Sequence, residues 1–307
     1  MAISEKDVSY SQVLTDVSVK YQNAAMIGEQ LFTPVPVQKN TGIYYEYGKQ
    51  DLRLYDLHRA PGSPSKEIEW SVTRSQPFYT EEIAVSMPIP REVEEVQDTP
   101  PLDLQVDTTE YLTNIILLNI EKKIADIVQN QSLYPTDHKE DIGNAWGNDN
   151  SDPITKIRQY KNVIRSKIIM EPNVLLLGAK VYNRLLDHPK IVDRIKYTQL
   201  GVTTQELMAR IFEVNKLLVG RAVAITSKEG KSETQNDIWG NIAILAYVTP
   251  RPGLKQITFG YLFRQRGYRA VETWYNDHRR STFVRVIDKF VPKVVCNLAG
   301  ALLYNCV

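Results

Sequence analysis

Cysteine is nearly missing from this chain: two among 307 residues, Cys296 and Cys306, both within the last dozen positions. Two thiols cannot build a disulfide framework, so the sequence is read as that of a protein from a reducing compartment, with its cysteines as small buried hydrophobes. Histidine is sparse too. His58, His138, His188 and His278 stand apart from any second ligand type at metal spacing. His188, in "DHP" ahead of Pro189, reads as a polar turn residue. No GxSxG elbow, zinc pattern or Walker lysine motif occurs. No run of eighteen apolar residues exists, the nearest approach being "IILL" at 115–118, so no stretch is read as a membrane-crossing helix. The opening "MAISEKDVSYSQ" is polar and acidic, without the basic start and apolar stretch of a signal peptide. An excess of one charge is also lacking. Lys and Arg number 37 against 36 Asp and Glu, a formal net charge of +1, which argues against tight salt-driven binding of nucleic acid by the whole chain. What is there is 43% hydrophobic and periodic to the end, which excludes a disordered tail and permits a large core.

The stretch "NVLLLGAKVYNRLLDHP", 173–189, passes from an apolar run through Gly178 into a helical pattern. A dinucleotide turn needs several glycines, and a P-loop needs a Gly-rich run ending in Lys and Ser or Thr. Here one glycine is followed by Ala179 and Lys180, so Gly178 is read as a strand-to-helix bend. No cofactor and no catalytic residue is assigned.

Residues 1–43 have weak periodicity and end in "LFTPVPVQKNTG", where Pro34 and Pro36 favour extended backbone; this segment is read as an arm lying across something else. Residues 44–90 read as a long two-stranded excursion. Ile68, Trp70 and Val72 alternate with polar residues, and Pro61, Gly62 and Pro64 mark the tip. A lone hairpin is marginal in water, so its apolar faces call for a partner such as another subunit. At 107–110, "DTTE" predicts a capped helix start, with Leu112, Ile116, Ile120, Ile124 and Ile127 on one face to about Asn130. A loop of about twenty residues follows, in which Trp146 is read as an anchor into a neighbouring surface. From 151 an α/β pattern begins: a helix capped by Asp152, the strand before Gly178, a helix capped by Thr203, strands at "KLLVGRAVAI" and "NIAILAYV", then sheet to the end. No internal repeat is evident.

Paired carboxylates such as Glu81 with Glu82 and Glu94 with Glu95 sit in polar stretches and read as solvated faces. The basic run 264–293 interleaves Arg264, Arg266, Arg269, Arg279 and Arg280 with Tyr268, Trp274, Tyr275 and Phe283. Strand alternation divides these between two faces, so salt links and core aromatics are favoured over a base-stacking stripe.

The order of parts resembles the major capsid protein of tailed bacteriophages, the HK-ninety-seven-like fold shared with encapsulins. Its carriers are the arm "YQNAAMIGEQLFTPVPVQKNTGIYYEYGK", the "RAPGSP" tip in the position of the E-loop, the helix from Asp107, "PNVLLLGAKVYNRLLDHPKIVDRIK", "NIAILAYV" and "KVVCNLAGALLYN". The resemblance implies an α+β fold divided as follows: 1–43 N-terminal arm; 44–90 E-loop hairpin; 91–150 peripheral domain with the spine helix; 151–265 axial domain; and 266–307 terminal strands returning to the peripheral domain. It implies a non-enzymatic coat protein that self-assembles through hexamers and pentamers into an icosahedral shell around double-stranded DNA bound without sequence specificity. The location implied is the virion, with assembly in the host cytoplasm. A portal, a separate scaffolding protein and a decoration protein are the further partners, and no membrane is involved. Inter-subunit contacts are expected at Tyr55, Arg59, Trp70, Arg74 and Trp146, and lumen or inter-subunit basic residues at Arg264, Arg266, Arg279 and Arg280. The rival readings are an encapsulin-like protein compartment and an α/β nucleotide-dependent enzyme built on 150–250.

Overall fold

The computed structural model describes residues 8–46, 54, 56, 58–59, 61–67, 74–96, 103–195, 204–225, 227, 232–253, 256–267 and 269–307. The alternating stretch expected at Ile68, Trp70 and Val72 lies outside these, as do Tyr55 and Trp70 among the expected contacts. The first described elements are a two-residue strand β1 (Ser9–Tyr10), helix α1 (Gln12–Lys20), the single-turn α2 (Gly28–Leu31) and strand β2 (Thr33–Val37). Ser11 caps α1 by accepting the Leu14 N–H. Leu14, Ile27, Leu31 and Phe32 are buried in the main core. Within 9–37 these four side chains close onto the core of their own chain, while Tyr10, Val13 and Val19 stay exposed.

What they close onto is the spine. After β3 (Thr41–Glu46), β4 (Arg74–Tyr79), β5 (Glu81–Pro90) and α3 (Arg91–Val96) comes α4 (Leu104–Val128), 25 residues and about 37 Å long. Its cap is Asp103, accepting from the Gln105 and Val106 N–H groups, and not Asp107. The "DTTE" pattern misplaced the start because Asp107 has the right chemistry one turn too late. Leu112, Ile116, Ile120 and Ile124 are buried, as the four-residue spacing predicts, while Val128 rather than Ile127 completes the stripe. Thr113 on the same helix meets Ser18 of α1, hydroxyl to hydroxyl at 2.8 Å, which fixes the two helices against each other.

The α/β region begins with α5 (Pro153–Ile168), capped by Asp152 with Pro153 at its first position, as expected. Then come β7 (Val174–Gly178), α6 (Ala179–Leu186), α7 (Pro189–Ile195), α8 (Gln205–Ile211), β8 (Lys216–Gly220), β9 (Val223–Ile225), β10 (Gln235–Asp237) and β11 (Ile242–Ala246). The cap of α8 is Thr204, one residue beyond the expected Thr203. The strand expected at "KLLVGRAVAI" is broken into β8 and β9, the latter pairing β10 in a small hairpin. Gly178 is indeed the bend, but its φ of −61° is open to any residue. It must be glycine because a Cβ there would lie 2.0 Å from the Gly240 carbonyl oxygen.

β6 (Lys139–Asp141), β12 (Gly260–Gln265), β13 (Ala270–Asn276), β14 (Ser281–Val294) and β15 (Gly300–Tyr304) complete the two main sheets. One has five strands in the order β6-β15-β11-β7-β8; the other runs β1-β13-β14-β12-β2, with β5 also paired to β14 along ten residues. Two expected boundaries shift accordingly. β15, expected with the peripheral strands, lies between β6 and β11 in the five-stranded sheet. β12, expected in the axial unit, pairs β14 and β2 beside the spine. Hydrophobic pattern identifies strands but not which distant strand each one meets.

Candidate assembly surfaces and the charge nodes beneath them

The hairpin leaves the body through β3 and β4, which pair from Thr41 opposite Tyr79 to Glu46 opposite Arg74. Its base is pinned by aromatic packing: Phe78 stacks on Phe263 with ring centroids 4.3 Å apart and planes 4° from parallel. With Tyr261 and Val295 these rings form a small core separate from the main one. Three described apolar side chains of the hairpin are uncovered. Ile43 is 61% exposed, Tyr79 62% and Leu54 98%. Arg59 is exposed, and Arg74 stands at the outer end of β4.

Two buried polar nodes hold the arm to the body. At the first, Glu121 on the spine accepts from the Ile27 N–H at 3.0 Å, the Gly28 N–H at 2.6 Å and the Trp239 indole N–H at 2.5 Å. One carboxylate thus joins arm, spine and α/β region. Burial raises its pKa, against the three donors that favour its charged form. At the second, Arg264 contacts Glu29 at 2.6 Å and Asp288 at 3.2 Å, and Arg269 contacts the same two carboxylates at 3.1 and 3.7 Å. Burial pushes the Asp288 carboxyl up despite the guanidiniums. For Glu29 burial pushes the same way, but Arg264 and Arg269 outweigh it and hold the group below its ordinary value. A cavity of about 670 Å³ opens beside the nodes, lined by Met26, Glu29, Leu117, Ile120, Arg264 and Arg269 among others.

Glu29, Glu121 and Asp288 were not singled out from the sequence. A signal existed for two of them. Glu121 interrupts the apolar stripe between Ile120 and Ile124, and Asp288 falls on the inward face between Val286 and Phe290, so each is a carboxylate where the pattern calls for hydrocarbon. Glu29 gave no such signal.

The basic run divides between strand and turn, its exposed members lying in the turns that follow β12 and β13. Arg266, Arg279 and Arg280 are exposed, Arg280 lying 3.8 Å from Glu92. Arg264 makes the salt links favoured for this run, to Glu29 and Asp288 of its own subunit. Trp274 and Phe283 stack with centroids 5.1 Å apart, and Arg285 lies 5.0 Å over the Trp274 ring while ion-pairing Glu272. Trp146 is also corrected as a contact residue. It is 2% exposed, and its N–H donates to the Cys306 carbonyl, so it anchors the C-terminal tail of its own chain and has no surface for a neighbour. His188 is the polar turn residue expected between α6 and α7, accepting the Lys190 N–H on its ring; it is buried and lies 3.0 Å from the Ser151 hydroxyl. Among the described residues no group of three or more His, Cys, Asp or Glu could hold a metal ion, and no helix is long and apolar enough to cross a membrane.

The family model described as phage major capsid protein E matches residues 107–260. The chain is 32% identical over 298 residues to the major capsid protein of Burkholderia phage BcepMu, covering 95% of this chain and 94% of that one. Among solved structures, a phage-related protein from Bordetella bronchiseptica superposes with a TM-score of 0.81 at 28% identity, covering 97% of both chains. The capsid structure of Cyanophage P-SCSP1u gives 0.60 at 12% identity, over 93% of this chain and 89% of that one, a likeness of fold. The α+β architecture is HK-ninety-seven-like. The chain belongs to the phage major capsid protein family, and its role is that of a structural coat protein of the virion.

Proposed function

We propose that this coat protein assembles through hexamers and pentamers into an icosahedral shell that encloses double-stranded DNA without reading its sequence. The observation that carries this reading, beside family membership, is the hairpin base. It is anchored to its own subunit by Phe78 on Phe263, while Ile43 and Tyr79 stay open to solvent. Identical chains arranged around five- and six-fold axes meet through heterologous contacts, and many weak ones act together in a closed shell. Exposed Arg266 and Arg279 supply sequence-independent phosphate contacts in this reading. Arg59 and Arg74, with Tyr55 and Trp70, are its proposed inter-subunit contacts. A portal, a separate scaffolding protein and a decoration protein are its further partners, and the host cytoplasm its place of assembly.

Size-exclusion chromatography of the expressed chain followed by negative-stain microscopy tests the shell. Particles of uniform diameter are expected, and a stable 35 kDa species at high concentration would contradict the reading. Nuclease-protected DNA in particles from infected cells tests the cargo; protected protein with no DNA would point to a compartment of the encapsulin kind.

A further inference from the structure

Among the described residues, the hydrogen-bonding parity of the strands leaves some sheet edges closed and others open, with β5 and β3 among the open ones. On β2, Val37 O accepts the Arg266 N–H at 2.8 Å, so Val37, Val35 and Thr33 face β12 and the intervening residues face outward. Those are Pro34 and Pro36, which have no N–H to offer. On β8 the Leu217 carbonyl is taken by Gln205 Nε2 of α8 at 2.6 Å. β13 is covered by β1 and by Thr15, whose hydroxyl accepts the Val271 N–H. On β4, the outward series includes Pro77, directly opposite Ile43.

β5 and β3 differ. Arg91 N donates to Arg280 O at 3.0 Å and continues the unbroken β5–β14 register, so odd-numbered residues of β5 face β14 and even-numbered ones face outward. Pro88 and Pro90 are among the outward set, but Glu82, Ala84 and Ser86 present three backbone N–H and C=O pairs in a row that meet no strand among the described residues. On β3, Thr80 N donates to Asn40 O at 2.8 Å, which puts even-numbered residues on the β4 side and leaves Thr41, Ile43 and Tyr45 with outward donors and acceptors. The two edges match in length and are flanked by the exposed apolar side chains Ile43, Tyr79 and Met87. An exposed strand edge is a template for pairing, which proteins otherwise block with proline or cover.

We infer that the β3 edge of one copy pairs with the β5 edge of the next, so that a main-chain ladder runs across each subunit junction. The inference rests on the shell reading and adds where the junction is made. Because the two edges are different patches, the contact is head-to-tail and propagates around a ring instead of stopping at a dimer. The occupant is a second copy because a shell of one protein supplies that copy at every junction, and because β3 offers the same three-residue span that β5 leaves open.

The test is proline at the outward positions. Ala84→Pro and Ile43→Pro remove N–H groups that have no partner among the described residues of the subunit, so the folded monomer should melt as wild type does. The assembled fraction should fall by at least about tenfold, each junction losing one ladder hydrogen bond repeated around the shell. Wild-type yields of particles from either variant, with the monomer folded, would overturn the inference. Should a proline variant fail to fold, double-cysteine variants pairing Thr41→Cys or Ile43→Cys with Ala84→Cys or Ser86→Cys decide the matter. Directly opposed Cα atoms in a ladder are roughly 4.5–5.5 Å apart, within disulfide reach. A ladder of bands beyond the dimer on a non-reducing gel supports the pairing, and monomer alone from all four combinations overturns it. Wild-type particles without these cross-links would sink the β3–β5 contact while leaving the shell reading intact; absence of wild-type particles would sink the shell reading itself.

Discussion

Glu121 and Trp239, 118 residues apart in sequence, share a hydrogen bond of 2.5 Å, and both side chains are buried. Because the same carboxylate also accepts from Ile27 and Gly28, its removal frees two segments at once. Glu121→Gln places an amide donor against one of the three donors and should destabilise the subunit by about 1–3 kcal/mol. Glu121→Ala leaves all three donors unsatisfied and should cost more. Urea unfolding should give the order wild type, Gln, Ala; equal midpoints would mean that the node contributes nothing.

Stability should depend on pH through the second node. Glu29 is held below its ordinary value of 4.5 in the folded subunit, so its contribution is in place above 4.5 and is lost as pH falls below it through the lowered folded value. Glu121 and Asp288, raised by burial, act in the opposite sense. Their contribution is full below the ordinary values of 4.5 and 3.8 and declines as pH climbs through the raised ones. The stability gap between wild type and Glu29→Gln should therefore narrow on acidification below pH 4.5, and a constant gap across that range would refute the assignment.

Gly178→Ala puts a methyl group 2.0 Å from the Gly240 carbonyl, where backbone rather than a movable side chain must yield. A loss of about 3 kcal/mol, the upper part of the usual overpacking range, is expected in thermal or chemical denaturation. Nucleotide binding should be absent from the wild type, since one glycine makes no cradle; equilibrium dialysis reads this directly.

Phe78→Ala removes a ring that is stacked and nearly buried, at an expected local cost of about 3 kcal/mol. Because Phe78 belongs to the small core and not the main one, limited proteolysis should cut the hairpin base first while the five-stranded sheet stays protected.

Deleting residues 50–75 should leave a folded, soluble body and abolish particles. Shells of normal diameter from that variant would remove the hairpin from the assembly mechanism.

Local chemistry was well written in the sequence where it acts over a few residues. The apolar stripe of α4, the Asp152–Pro153 start of α5, the bend at Gly178 and the alternation of Phe283 to Val286 all follow from neighbouring positions. What stayed hidden depends on distant partners. A salt link is legible for Arg264, but its partner Glu29 lies 235 residues earlier and no neighbouring position names it. Trp146 reads as an outward anchor until the C-terminal tail closes over it. The placement of β15 beside β11 likewise depends on a pairing that no window of the sequence contains.

The prolines of β2 bear on the physics of crowding. A coat protein accumulates to concentrations at which indiscriminate strand addition would produce tangled fibrils. Pro34 and Pro36, facing outward from the arm, offer no N–H to an incoming strand along that border, which lowers the number of places at which a molecule can accept its own kind. Limited valence of this sort lets a curved surface finish and stop growing instead of extending without end.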